Sequence, residues 1–194
     1  MRLLRMLCVA PRIARDVRGG RGVRNNGLIF GISLLSCGLS GLPAAAAEGD
    51  GDLLAFSAGY FDVNKRKDEA GEFRIEYRAD EQMWLFKPFG GAMATTDGAL
   101  HGFAGILMDI PLGGRIYITP SFAPGLYHDG DGKDLHHTIE FRSQIEISYR
   151  FRNGHRLGAS FNHISNAELG DDNPGVESAA ITYIVPFGAI FRGR

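Results

Sequence analysis

Residues 138–151 read Thr138-Ile-Glu-Phe-Arg-Ser-Gln-Ile-Glu-Ile-Ser-Tyr-Arg-Phe151, and their apolar members recur with a period of two. Ile139, Phe141, Ile145, Ile147, Tyr149 and Phe151 share one parity, with Ser143 as its polar member. Glu140, Arg142, Gln144, Glu146, Ser148 and Arg150 share the other. An extended chain turns successive side chains to opposite faces, so this stretch is a strand with one greasy face and one charged face. It is also long, since strands of soluble domains usually run about five or six residues.

The same alternation recurs to either side. Phe73, Ile75 and Tyr77 oppose Glu72, Arg74, Glu76 and Arg78, while Ile116, Ile118 and Phe122 oppose Tyr117, Thr119 and Ser121. Eight strands are expected, near 53–64, 71–80, 85–95, 100–110, 115–127, 138–151, 155–165 and 177–187. Turn residues separate them, as in Leu112-Gly-Gly114, Asp129-Gly-Asp-Gly132, Arg152-Asn-Gly154 and Asp171-Asp-Asn-Pro-Gly175. No amphipathic helix interrupts the series. Connections after strands two, four and six read as short, and those after one, three, five and seven as longer and more polar, the rhythm of a membrane barrel.

An open sheet edge cannot exist in lipid, whereas eight strands of about ten residues close a small barrel. The expected fold is therefore all-β, an eight-stranded antiparallel up-and-down transmembrane β-barrel. A soluble barrel of the lipocalin kind would put its apolar face inside. Two features favour the membrane: opposite charges share the polar face, and Tyr60, Phe61, Phe86, Phe89, Tyr149, Phe151, Tyr183 and Phe187 lie toward strand ends as aromatic girdles do.

Charge and the N-terminal segment agree with export. The 194 residues carry a formal net charge of -1, which gives no basic signal for nucleic acid. Seven arginines and one acid fall in residues 1–47, leaving 14 basic and 21 acidic residues from Glu48 onward. The arginine-rich start, the apolar run Leu28–Leu39 and the small-residue stretch Ala44-Ala-Ala-Ala47 read as a signal peptide over 1–47, with the barrel domain over 48–194. Cys37 offers a rival reading as a lipidation site, which the alanine run disfavours. Cys8 and Cys37 both fall in this segment, so the mature domain has no disulfide.

The seventh strand ends in Phe161-Asn-His163-Ile-Ser165-Asn166. His163 and Ser165 share a face, with Cα atoms roughly 6–7 Å apart. A serine hydroxyl becomes a nucleophile only when a base takes its proton, and imidazole is the usual base. Their parity is that of Leu157, Ala159 and Phe161, the greasy face. Glu177 shares parity with Ala179, Ile181 and Tyr183 on the next strand, again the greasy face, so hairpin pairing brings it beside His163. A carboxylate there would fix the imidazole tautomer and stabilise its cation. A solvated strand end is the other reading of these residues.

The stretch Phe161-Asn-His-Ile-Ser-Asn-Ala167, followed by Asn173-Pro-Gly-Val-Glu177, resembles the PagL-type lipid A 3-O-deacylases. That resemblance implies an eight-stranded outer-membrane barrel with a Ser-His-Glu triad facing the membrane. The family's His-x-Ser-Asn motif falls on His163, Ser165 and Asn166, and its glutamate, fourteen residues after the histidine, on Glu177. Asn173 and Gly175 match the family's loop. The reaction implied is hydrolysis of the ester-linked 3-hydroxyacyl chain at the 3-position of lipid A. Ser165 would be the nucleophile, His163 the base and Glu177 its orienting partner. Asn166, Asn173 and Gly175 are candidates for the oxyanion hole. The implied partner is lipid A, or lipopolysaccharide, in the outer leaflet of the bacterial outer membrane, with a homodimer left open. One departure is the C-terminus, where Phe191 is followed by Arg192-Gly-Arg194 instead of closing the chain.

No cofactor and no metal are expected. Asp129-Gly-Asp-Gly-Lys-Asp134 has the outline of a calcium loop, but Lys133 sits where an oxygen ligand belongs and Asp134 where glycine is needed. His136-His137 reads as an exposed polar loop. The competing functions are a non-catalytic barrel of adhesive or structural type and a phospholipase on the same scaffold.

Overall fold

A computed structural model describes residues 51–191, and the expected signal peptide over 1–47 and the terminal Arg192-Gly-Arg194 lie outside them. Nine strands form: β1 Leu53–Phe61, β2 Ala70–Arg78, β3 Lys87–Thr95, β4 Leu100–Leu107, β5 Ile110–Gly113, β6 Ile116–His128, β7 Ile139–Arg150, β8 Arg156–Ser165 and β9 Val176–Pro186. A short helix, α1 Phe187–Phe191, follows. Each strand pairs antiparallel with its sequence neighbour, β1 pairs with β9 and β4 with β6, so the sheet closes.

The expected fourth strand, 100–110, is thus two segments, β4 and β5, of one eight-stranded wall. Pro120 in β6 lies opposite the break and lacks the N–H that a ladder needs, and Pro124 likewise interrupts pairing inside β4, which skips from Phe103–Gly125 to Ile106–Phe122. Between the segments, Asp109 accepts from the Thr119 hydroxyl at 2.7 Å and the Arg156 guanidinium at 3.2 Å.

Alternation holds along β7. Ile139, Ile145, Ile147 and Tyr149 face outward, whereas Glu140, Arg142, Gln144, Glu146 and Ser148 are buried in the lumen. Arg78 grips Glu146 through two bonds of 3.0 and 2.9 Å and Glu76 at 2.7 Å. Arg74 joins Glu72 at 2.6 Å and Glu76 at 3.0 Å, and Arg142 reaches Glu76 at 3.1 Å. These mutual bonds offset a desolvation cost that isolated charges could not bear. Among the described residues nothing covers the apolar exterior, which is the arrangement a lipid solvent requires.

Two expectations need correction. Phe61 and Phe89 belong to no girdle: both are buried inside the barrel, in an apolar cluster with Met93, Phe103, Leu107 and Ile164. Tyr60, Tyr149, Phe151, Tyr183 and Phe187 do face outward. The loop rhythm also breaks, because the connection 79–86 is as long as 62–69 and the connection 96–99 is short. Loops 62–69, 96–99, 129–138 and 166–175 share one end of the barrel, and the site lies at that end.

Candidate active site

β8 and β9 are neighbouring strands of the barrel wall, joined as a hairpin by the connection 166–175. Register pairs His163 directly with Glu177, and pairs Ser165 with Phe141 on the other side. Within β8, Arg156, Ser160, Asn162 and Ile164 are buried while Leu157 and Phe161 face outward. His163 and Ser165 continue the outward parity, as the alternation predicts, and Glu177 does so on β9.

His163 Nδ1 lies 3.0 Å from Glu177 Oε1. The imidazole is 45% exposed and the carboxylate 16%, so the pair is open on the histidine side and sheltered behind it. With Nδ1 engaged by the carboxylate, Nε2 is left as the nitrogen able to take a proton. Among the described residues the Ser165 hydroxyl has no hydrogen-bond partner, His163 included.

The loop 166–175 is built around Asn166, which is fully buried. Its side-chain amide donates to the carbonyls of Leu135 at 3.2 Å and Asp172 at 2.8 Å. Its side-chain oxygen accepts from Glu168 N at 2.9 Å, and its own N–H donates to Asn173 Oδ1 at 3.1 Å. Gly175 ends the loop at φ 54° and lies on the imidazole: a Cβ there would stand 2.9 Å from His163 Cε1. Only glycine meets both the left-handed backbone and the close approach.

Sequence reasoning missed the contribution of the first loop, 62–69. Val63 N donates to the carbonyl of Glu177 at 3.0 Å. The Lys65 ammonium donates to the carbonyl of Pro174, and to that of Gly175 at 3.5 Å. Asp62, fully buried, anchors this loop: it accepts from the backbone of Lys67 and Asp68 at 2.9 and 3.1 Å and pairs with Lys133 at 2.8 Å. Burial would raise the Asp62 pKa, but the Lys133 ammonium and the two N–H donors outweigh it and hold the carboxyl below the usual aspartate range. Lys133 had stood out only as the residue that spoils a calcium loop; its partner lies 71 positions away.

Comparison with known proteins bears on the family and the fold. The family model described as lipid A 3-O-deacylase (PagL) matches residues 59–186. Among solved structures, the crystal structure of the outer membrane enzyme PagL aligns with a TM-score of 0.55 at 19% identity, covering 69% of this chain and 99% of that one. A de novo designed transmembrane β-barrel aligns with a TM-score of 0.51 at 10% identity, over 72% of this chain and 98% of that one. These two likenesses concern the fold. No curated protein sequence matches the chain. The family match spans well over half of the chain, including His163, Ser165 and Glu177, and this outer-membrane β-barrel belongs to the lipid A 3-O-deacylase (PagL) family.

Proposed function

We propose that the protein hydrolyses the ester-linked 3-hydroxyacyl chain at position 3 of lipid A, with Ser165, His163 and Glu177 as a catalytic triad. The single observation that carries the reading is the 3.0 Å His163–Glu177 pair on the lipid-facing side, two residues from a serine hydroxyl. Ser165 Oγ attacks the ester carbonyl carbon as His163 Nε2 takes its proton. Glu177 holds the tautomer and stabilises the imidazolium. The tetrahedral oxyanion collapses, the bond to the sugar oxygen breaks, and the imidazolium protonates that oxygen. Water then attacks the acyl-serine as His163 takes its proton, the acyl–Oγ bond breaks, Ser165 Oγ takes the proton back from the imidazolium, and a 3-hydroxy fatty acid leaves.

The three oxyanion candidates differ in what they have left to give. Asn166 already spends both side-chain N–H donors on Leu135 and Asp172. The Gly175 N–H and the Asn173 side-chain amide remain as donors, and Gly175 lies against the histidine. An outward site suits a substrate that is itself a membrane lipid and arrives by lateral diffusion. Residues 1–47 serve in this reading as the signal peptide and 48–194 as the barrel domain.

Mass spectrometry of lipid A from cells with and without the protein tests the reading. Lipid A from expressing cells should lack one 3-hydroxyacyl chain. Unchanged lipid A beside a folded barrel would leave a non-catalytic protein, and loss of acyl chains from phospholipid alone would make it a phospholipase.

A further inference from the structure

Four lysines occur in the chain, at 65, 67, 87 and 133. Lys87 pairs with Asp80 at 2.8 Å and Lys133 with Asp62 at 2.8 Å. Among the described residues, Lys65 and Lys67 have no carboxylate partner, and Arg66 between them meets Glu69 only at 3.8 Å on the surface. The Lys65 ammonium instead leans on the carbonyls of Pro174 and Gly175. Those acceptors are neutral, so its charge stays uncompensated, and an ammonium has three donors of which two are spoken for.

Its place is specific. Gly175 touches the His163 ring, so one residue separates this cation from the imidazole. Two acids of the neighbouring loops turn elsewhere: Asp172 lies 3.4 Å and Asp134 3.9 Å from His136, on the side of loop 129–138. Lys65 thus puts a cation at the rim of the site, beside the loop that carries Gly175. Lipid A is a glucosamine disaccharide whose position 1 carries a phosphate, and positions 1 and 3 flank one ring carbon of the same sugar. An ester at position 3 seated on Ser165 brings that phosphate to the rim. A phosphate oxygen is a far better acceptor for an ammonium than a peptide carbonyl.

We propose that Lys65 binds the position 1 phosphate of the substrate sugar and so selects lipid A that carries it. The inference rests on the triad reading above for the seat of the ester. The test compares deacylation of two substrates in detergent micelles: lipid A with both phosphates, and the same lipid with the position 1 phosphate removed. Wild-type protein should prefer the first by roughly tenfold in kcat/KM, the scale of one charge-assisted hydrogen bond at a partly exposed site. Lys65→Met keeps the stem and loses the charge, and its preference should fall to about one, while Lys65→Arg should retain it. A role limited to holding Gly175 would slow both substrates and leave the ratio at the wild-type value, which would overturn the proposal, as would a wild-type protein with no preference. Equilibrium binding of the two lipids to Ser165→Ala, with and without Lys65→Met, separates the two readings. A phosphate preference that depends on Lys65 but accompanies no hydrolysis by the wild type would sink the triad and leave Lys65 standing.

Discussion

Two charged regions of this barrel handle charge in opposite ways. In the lumen, Arg78 touches Glu76 and Glu146 with side chains 3% exposed or less, and Arg74 and Arg142 share Glu76. On the outside, a single histidine meets a single carboxylate, half open to its surroundings, beside a hydroxyl without a partner. These three arginines and their acids are spent on one another and hold strands together. The outer groups sit on a face that is otherwise largely apolar, Ser143 beside His163 being the polar exception, and they keep bonding capacity in reserve. A polar group that no packing requirement explains, placed on the costly face, is where chemistry should be sought.

The sharpest way to break this contrast is to cut each region in turn. His163→Ala should drop deacylation to background, a loss on the order of 10⁶-fold, while the barrel still shows its heat-modifiable migration on gels. Adding Ser165→Ala should cost little more, because the triad acts as a unit. Glu177→Gln keeps shape but not charge, and should leave residual turnover with a loss nearer 10⁴-fold. Activity equal to wild type would remove Glu177 from the machinery.

Arg78→Met should do the reverse. Glu76 keeps Arg74 and Arg142, but taking the Arg78 guanidinium from Glu146 in the lumen should cost about 3–5 kcal/mol of stability, read from denaturant unfolding in detergent, with kcat unchanged. A charge on the lipid face is the next smaller insult. Ile181→Arg should cost about 2–4 kcal/mol near mid-bilayer and impair insertion, which a folding assay into vesicles measures.

The smallest effect concerns the loop anchor. Asp62 has its carboxyl held below the ordinary value of 3.8, so the folded state binds the proton less well than the unfolded one. Its contribution is fully present above that ordinary value and fades as pH falls through the lower folded-state value. Protease cleavage within 62–69 should therefore increase on acidification into that range. In Asp62→Asn it should be raised already at neutral pH and vary little with pH.

Much of the fold was legible because β2 and β7 carry charge on one parity alone, which fixes the face once the barrel is closed. β3 was not legible in that way. Phe89 and Met93 point inward and Ala92 and Ala94 outward, but beyond Lys87 at its first position neither parity carries a charge to mark it. β1 has the same ambiguity, with Leu53 and Phe61 inside and Phe56 and Tyr60 outside. His163, Ser165 and Glu177 could be placed on one face because pairing across a hairpin is local. Lys65 and the Asp62–Lys133 pair depend on contacts between loops far apart in sequence, which barrel closure sets and no periodicity records.

The most direct measurement is release of 3-hydroxy fatty acid from lipid A in reconstituted bilayers by the wild-type protein and by Ser165→Ala, both shown to be folded barrels. The account predicts one 3-hydroxyacyl chain lost per lipid A with the wild type and none with the variant. Release by Ser165→Ala at the wild-type rate would contradict it.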